Sequence, residues 1–241
     1  MKLANSSLAF GCVALFVLGI SGLSGSARVA TAVEAAPLQG SESFVYADFE
    51  TANNGRPVSN HGGYIQLTSY QESPSNRVSF KGMPDPNKDA PEIVRTSKDN
   101  QNKAIAFDFQ LVGPNAYAGV GVQVHGQPDK DGKPATDDVS AYKDLSMQVF
   151  ETGVPSLRVE FISNGNGITT NAFPQTTIRI QPGFNTYKIP LKSLLQPAWV
   201  DTHVKNSDVL KKLTSVTITA TCGPCTPVTG KVVIDNLVFE K

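Results

Sequence analysis

The segment KAIAFDFQL at residues 103–111 carries the clearest secondary-structure signal in this chain. Its large apolar side chains recur at every second position: Ile105, Phe107, Phe109 and Leu111. A period of two is typical of a β-strand with one face buried and the other exposed. The segment therefore predicts a half-buried strand.

Similar short patterns recur on both sides of this segment. In YAGVGVQVHG (117–126), Val120, Val122 and Val124 share one face, and Gly119 and Gly121 are expected to leave room on the other. Nine further strand candidates are FVYADFE (44–50), GGYIQLTSY (62–70), RVSFKG (77–82), DLSMQVFE (144–151), SLRVEFIS (156–163), TTIRIQP (176–182), NTYKIPL (185–191), SVTITATC (215–222) and KVVIDNLVFE (231–240). The candidates at 176–182 and 185–191 are predicted to form a hairpin.

One segment, NSDVLKKL (206–213), favours a short helix capped by Ser207 or Asp208. No fixed-period repeat, βαβ alternation or phosphate-binding glycine loop is visible. Many short strands between turn signals predict an all-β fold, an antiparallel jelly-roll β-sandwich with one short helix. We expect one domain over residues 44–241, preceded by a polar leader at 36–43.

The N-terminus has the features of an export signal. Lys2 precedes an apolar run at residues 8–23, and small residues follow up to position 36. A run of this length is short of the roughly 20 residues that a membrane span needs. Residues 1–35 are therefore predicted to be a secretory signal peptide. This predicts a secreted, periplasmic or cell-envelope protein with no membrane span after cleavage, and an uncleaved anchor is the alternative.

Charge composition argues against one class of partner. Lysines and arginines number 21, and aspartates and glutamates also number 21, so the formal net charge is zero. Proteins that bind nucleic acid through a basic surface carry a clear excess of positive charge. We therefore expect no nucleic-acid partner.

Four stretches resemble a known group of sandwich domains. They are YADFE (46–50), DVSAYKDLSMQVFETGVPSLRVEFIS (138–163), NTYKIPLKSLLQPAW (185–199) and VVIDNLVFEK (232–241). Together they resemble the galactose-binding-like carbohydrate-binding modules of family 11 type, and the related complex I intermediate-associated protein family. The resemblance implies a polysaccharide or glycan ligand. It also implies a structural calcium ion between the first and last strands, at the positions of Glu50 and Asp235, whose carboxylates suit a hard cation.

Sugar recognition needs flat aromatic faces for C–H surfaces and planar polar side chains for hydroxyls. Outward positions of the predicted strands offer Gln123, His125, Gln148, Arg158 and Glu160, and the aromatic candidates are Tyr64, Tyr70, Tyr142, Tyr187 and Trp199. The set that we predict to contact carbohydrate is Gln123, His125, Tyr142, Arg158, Glu160 and Trp199. Arg158 and Glu160, two apart on one strand, share a face; an ordinary surface ion pair is the alternative.

The motif CGPC at residues 222–225 has the letters of a thioredoxin active site. In that site the motif opens a helix, whereas here it follows the alternating segment SVTITAT in a chain without βαβ units. We therefore predict a disulfide between Cys222 and Cys225 at a hairpin tip. A separate cluster, Asp129, Asp131, Asp137 and Asp138, is predicted to be a solvated hairpin loop because it lacks the full spacing of a calcium loop.

Two other functions remain open at the level of sequence. One is a structural or protein-interaction domain of the cell envelope. The other is a polysaccharide lyase or hydrolase of jelly-roll type, with Gln123 and His125 of the QVH triplet acting beside Arg158. The QVH triplet precedes RVE, which is the reverse of the order in jelly-roll alginate lyases, and Ile162 stands where a second arginine is expected.

Overall fold

A computed structural model describes residues 42–71, 77–80, 90–97, 101–221 and 227–241. All of them fall within one compact unit, Pro37–Lys241. The strands are β1 Ser43–Ala47, β2 Ala52–Asn53, β3 Arg56–Pro57, β4 Ile65–Tyr70, β5 Arg77–Phe80, β6 Glu92–Arg95, β7 Lys103–Val112, β8 Tyr117–Gln123, β9 Asp144–Thr152, β10 Ser156–Ile162, β11 Gln175–Arg179, β12 Asn185–Pro190, β13 Ser215–Thr221 and β14 Val228–Glu240.

The strands form two main sheets. The seven-stranded sheet has the order β12-β9-β14-β7-β5, with β1 also paired to β14 and β6 to β7. The five-stranded sheet has the order β11-β10-β13-β8-β4, and β2 and β3 form a separate short ribbon. Every strand pair is antiparallel. The predicted all-β antiparallel jelly-roll sandwich is confirmed.

The core lies between the two sheets and is built from alternating side chains of each. On β7 the predicted apolar positions are at most 3% exposed: Ile105, Phe107, Phe109 and Leu111. On β8 the predicted inward residues are at most 1% exposed: Val120, Val122 and Val124. The period of two therefore reports the buried face correctly on both strands.

One expectation about β8 is wrong. Gly119 does not leave open space, because a Cβ atom there would lie 2.2 Å from the carbonyl oxygen of Ile218 and 2.6 Å from Cγ2 of Thr219. The neighbouring strand β13 approaches the glycine closely and fills that volume. Gly121 does face open space, since the nearest atom to its Cβ position is Oγ1 of Thr217 at 3.8 Å.

An aromatic cluster fills one part of the core around Phe239 of β14, which is fully buried. The ring of Phe44 stacks on it at 6.0 Å, and that of Tyr46 meets it edge-on at 5.7 Å. Phe161 of the opposite sheet contacts it at 6.4 Å. Because these rings come from the first strand, the last strand and the other sheet, the cluster ties the sandwich together.

The predicted hairpin at 176–191 is wrong. Strand β11 pairs with β10 in the five-stranded sheet, whereas β12 pairs with β9 in the seven-stranded sheet. The connection between them therefore crosses from one sheet to the other, with Gly183 at φ +92° in the turn. A short turn serves a hairpin and a crossover equally well, so the local sequence does not distinguish the two.

The helix occupies Asn206–Leu210, and the other helical element of the described residues is a 3₁₀ turn at Leu191–Ser193. The predicted cap is wrong, because Lys205 occupies the N-cap without a side-chain hydrogen bond and Asp208 lies inside the first turn. No helix in the described part of the chain has the length and apolar character needed to cross a membrane.

Candidate functional site

A groove of about 810 Å³ lies on the outward face of the five-stranded sheet. Strands of this sheet supply its floor, and the loops that follow β10 and β12 supply part of its rim. The lining side chains with the greatest chemical interest are Tyr70, Tyr117, Arg158, Glu160, Thr177 and Trp199.

Alternation along β10 places the charged pair of the groove. The core face of this strand consists of Leu157, Val159 and Phe161, all fully buried. Arg158 and Glu160 consequently point to the opposite face, where both line the groove. The register sets Arg158 between Thr219 of β13 and Thr177 of β11.

Aromatic rings form one wall. Tyr70 and Tyr117 stack with centroids 5.5 Å apart and planes 19° apart, and the Arg158 guanidinium lies 4.8 Å from the centre of the Tyr117 ring. Burial raises the pKa of Tyr117, while the positive charge of Arg158 lowers it less strongly. Trp199 adds a flat surface that is 64% exposed, and Tyr70 is 47% exposed. Large apolar surfaces left open inside a concave site are typical of ligand contact.

The floor between these rings is polar and incompletely hydrogen-bonded. The Oε1 atom of Glu160 accepts a hydrogen bond of 2.9 Å from the backbone N–H of Phe173, which fixes the carboxylate. Nε of Arg158 and Oγ1 of Thr219 are buried and have no hydrogen-bond partner among the described residues. Buried polar atoms normally have a partner, so these two indicate a place where a polar ligand or water completes the hydrogen bonds.

Gln196 fixes the loop that carries Trp199. Its Nε2 donates to the carbonyl oxygen of Ala172 at 2.6 Å and to Oγ1 of Thr170 at 3.0 Å. Its Oε1 accepts from the backbone N–H of Val204 at 2.7 Å. The side chain thus ties the Trp199 loop to the loop after β10, which lines the same groove. Sequence reasoning missed Gln196, because nothing local marks a glutamine as a bridge between loops.

Of the predicted carbohydrate contacts, the structure brings Arg158, Glu160 and Trp199 together in this groove. Gln123 and His125 line a different groove, of about 430 Å³. A lyase using the QVH triplet would need His125 and Arg158 around one substrate. The structure does not place them in one cavity.

Tyr142 does not lie where we expected. It is 6% exposed and packs in the aromatic cluster, with its ring 6.2 Å from Phe44 and 6.0 Å from Phe239. The turn before β9 directs this side chain inward because the aromatic cluster offers it a large apolar surface to bury. Tyr142 is therefore a core residue in this structure, not an outward-facing one.

The other candidates are dispersed. Gln148 and Tyr187 belong to β9 and β12 of the opposite sheet, and Tyr64 lines a small groove beside Arg56. Tyr117 was missed, although a signal for it exists. With Val120, Val122 and Val124 inward, the same alternation turns Tyr117 outward.

The two proposed calcium ligands lie near each other where β14 ends its pairing with β7 and begins to pair with β1. Asp235 is fully buried beside a bulge in β14, and its carboxylate accepts from Nδ2 of Asn102 at 2.6 Å and from the backbone N–H of Asn236 at 2.7 Å. Oε1 of Glu50 accepts from the backbone N–H of Lys103 at 2.7 Å. Burial raises the pKa of Asp235, and the negative charge of Glu50 raises it further.

These residues form an oxygen-rich donor set. Carboxylates and carboxamide oxygens are the ligands that Ca²⁺ prefers, and the negative charge of Asp48 also raises the pKa of Asp235. A cation at this position would offset that repulsion. The amide of Asn102, which now donates to Asp235, would have to turn its oxygen toward the ion.

Two further predictions concern loops. Cys222 and Cys225 lie outside the described residues, so their disulfide remains a prediction. In the aspartate cluster, Oδ1 of Asp129 accepts from the backbone N–H groups of Asp131 and Lys133 at 2.9 and 2.8 Å, which closes an exposed turn. Asp137 lies apart from that turn and contacts two histidines.

Comparison with known proteins gives distant structural neighbours. No family model matches this chain, and neither does any curated protein. Among solved structures, it is similar to the family 11 carbohydrate-binding module of a cellulosomal cellulase of Clostridium thermocellum, with a TM-score of 0.49 and 17% identity over 82% of this chain and 94% of that one.

Two more neighbours belong to the same category. A family 11 module from Clostridium thermocellum in complex with a β-1,3-1,4-mixed-linked tetrasaccharide gives a TM-score of 0.49 at 16% identity, covering 82% of this chain and 95% of that one. A family 30 module of a cellulosomal cellulase from that organism gives a TM-score of 0.44 at 12% identity, covering 73% of this chain and 98% of that one. These comparisons give no support to the predicted relationship with the complex I intermediate-associated protein family.

Proposed function

We propose that this domain is an exported carbohydrate-binding module that holds a polysaccharide or glycan in the groove of the five-stranded sheet without cleaving it. One observation carries the proposal. The exposed faces of Trp199 and Tyr70 line the same groove as the Arg158–Glu160 pair. Nε of Arg158, which lines the groove, has no hydrogen-bond partner among the described residues, and neither does Oγ1 of Thr219, its paired residue on β13.

This combination matches the chemistry of a sugar ring. A pyranose has C–H faces that pack on aromatic surfaces and hydroxyl groups around its edge that need donors and acceptors. Trp199 and Tyr70 supply apolar faces, and aromatic side chains lose little conformational entropy on binding. The guanidinium of Arg158 and the carboxylate of Glu160 are planar groups suited to adjacent hydroxyls.

The charges of the groove favour an uncharged glycan that is bound and not hydrolysed. Arg158 and Glu160 balance each other, so the groove offers no net attraction to a polyanion. Glu160 is the one carboxylate among the groove's described lining residues, and its Oε1 already accepts from Phe173. Glycoside hydrolysis ordinarily needs two carboxylates flanking the bond.

Export is supported by the N-terminal pattern alone. Lys2, the apolar run at 8–23 and the small residues that follow have the order of a secretory signal. An extracellular or envelope location would bring the groove into contact with structural polysaccharides.

Replacing Trp199 with alanine tests the groove. We expect wild-type protein to be retarded in affinity gels by a neutral polysaccharide from a panel of β-glucan, xylan, galactomannan, alginate and pectin. The variant should bind that polysaccharide about 30-fold more weakly, because loss of an aromatic anchor commonly costs about 2 kcal/mol.

Phe184→Ala is the matched control, since Phe184 is 41% exposed and does not line the groove. Soluble oligosaccharide should release the bound wild-type protein. Absence of retardation by every polysaccharide of the panel would contradict the proposal and favour a protein-interaction domain. Equal losses in Trp199→Ala and Phe184→Ala would exclude this groove as the site.

We also propose that Glu50 and Asp235 hold a structural calcium ion. At about 100 times its dissociation constant, a ligand adds about 2.7 kcal/mol to stability. At about 2–4 °C per kcal/mol for a domain of this size, CaCl₂ should raise the melting temperature by about 5–10 °C over protein in chelator.

Glu50→Gln is the variant of choice for this test because Glu50 is exposed, whereas Asp235 is buried and its replacement threatens folding. The calcium-dependent rise should shrink or vanish in Glu50→Gln. An unchanged melting temperature in wild type, or an undiminished rise in the variant, would count against the site.

A further inference from the structure

Two histidines and an aspartate from separate segments converge on one point outside the groove. Nδ1 of His61 lies 2.9 Å from Oδ2 of Asp137, and Nε2 of His125 lies 3.0 Å from Oδ1 of the same carboxylate. The three ligand atoms all lie within 4.8 Å of one another. Among the described residues, His61, His125 and Asp137 are the one group of three or more histidine, cysteine, aspartate or glutamate side chains close enough together to hold a metal ion.

The backbone holds these segments in place independently of the side chains. A bridge pairs Gly62 with His125, and another pairs Asp137 with Leu213 through two hydrogen bonds of 3.1 Å. A Cβ at Gly126 would lie 2.2 Å from the carbonyl oxygen of Gly62, so the two histidine-bearing segments are in close backbone contact. The cluster is therefore built on a fixed frame, as a metal site requires.

Ring packing restricts the two imidazoles further. The rings of His61 and His125 stack with centroids 5.1 Å apart and planes 25° apart. Phe44 lies behind His61, with ring centroids 5.1 Å apart. The side chains of His61, His125 and Asp137 remain 31%, 21% and 12% exposed, so solvent and ions reach the cluster.

We propose that His61, His125 and Asp137 form a binding site for a divalent transition-metal ion of the class that prefers nitrogen ligands, with zinc as the best fit. Two imidazoles and one carboxylate, with water completing the shell, are an ordinary zinc ligand set. Bonds of about 2.0–2.2 Å at tetrahedral angles separate ligand atoms by about 3.3–3.6 Å. The separations of 2.9 and 3.0 Å join the rings to different oxygens of Asp137 and need an expansion of a few tenths of an ångström, while the widest separation in the cluster, up to 4.8 Å, has to shorten by roughly 1 Å.

The same ring nitrogens and carboxylate oxygens face the site in both states, but the rings change tautomer. Without metal, the carboxylate accepts a hydrogen bond from each ring. With metal, each neutral ring carries its proton on the outer nitrogen and turns the inner lone pair to the ion. Burial raises the pKa of Asp137, but the hydrogen bonds from His125 and His61 outweigh it and lower the pKa to about 2, which keeps the carboxylate anionic.

The test is a zinc titration of untagged protein, stripped with chelator and kept in excess CaCl₂ so that oxygen-rich sites do not compete. It is run at about pH 8, because the hydrogen bond to Asp137 raises the pKa of His61 above the ordinary imidazole value of about 6.5. Wild type should bind one Zn²⁺ per chain. His61→Ala, His125→Gln and Asp137→Asn should each bind at least about 10-fold more weakly, since even changes that merely disturb a ligand's orientation cost about 10–100-fold.

His203→Ala is the matched control, because His203 is an exposed histidine outside the cluster, and it should bind zinc like wild type. If a variant fails to fold, wild type itself gives a second readout. Zinc should protect His61 and His125, but not His203, from acylation by diethylpyrocarbonate, as mapped by mass spectrometry. No zinc uptake by wild type, undiminished uptake in folded His61→Ala, or equal protection of all three histidines would overturn the proposal and leave a hydrogen-bonded clamp.

Discussion

Phe239→Ala is expected to lower the free energy of unfolding by about 3–5 kcal/mol, the range for removing a buried aromatic ring. Phe239 is fully buried and contacts the rings of Phe44, Tyr46 and Phe161. Truncation removes these three contacts and the one with the Tyr142 ring, and it leaves a cavity between the sheets. The melting temperature should fall by roughly 6–20 °C, at about 2–4 °C per kcal/mol.

Urea denaturation followed by circular dichroism measures this loss, and Phe184→Ala provides the comparison. Phe184 is the same residue type but 41% exposed, so its truncation should change stability by less than about 0.5 kcal/mol. Similar losses in the two variants would mean that the aromatic cluster does not hold the sandwich together as we describe.

Gly119→Ala and Gly121→Ala are expected to differ sharply, although both glycines lie on β8 and face the same side. The new Cβ at position 119 would lie 2.2 Å from the Ile218 carbonyl oxygen, a backbone atom that cannot move without displacing β13. Overpacking of this kind costs about 1–3 kcal/mol, and sometimes more. The same strand movement would shift Thr219, and glycan binding should weaken with it.

Gly121→Ala should be neutral or stabilising by up to about 1 kcal/mol. Its Cβ would have no neighbour closer than 3.8 Å, neither glycine has a positive φ, and alanine reduces the entropy of the unfolded chain. Thermal melts of the two variants in parallel measure the difference. Equal stabilities would show that β8 and β13 are farther apart than described.

The strands could be predicted because burial on one face leaves a period of two in the sequence. Segment 103–111 predicted β7 almost to its ends, and 156–163 predicted β10. Strand partners could not be predicted in the same way, since pairing depends on residues far apart in the chain. The error at 176–191 is of this kind, because nothing in the five-residue connection at 180–184 indicates which sheet the next strand joins.

The site was predictable where it follows from alternation. Arg158 and Glu160 face outward because Leu157, Val159 and Phe161 face inward. Tyr142 precedes β9 in a turn, where no alternation applies, and an aromatic residue there packs inward when the core has room. The contact of His61 with Asp137 joins residues 76 positions apart, so no local sequence pattern could predict it.

The position of strand β14 determines when the seven-stranded sheet can be completed during synthesis. It lies between β7 and β9 and pairs with β1 as well, so three earlier strands share a neighbour that is synthesised after all of them. Until residues 228–240 leave the ribosome, those strands expose unpaired edges that invite aggregation. The seven-stranded sheet therefore cannot be completed before the last strand of the chain has been synthesised.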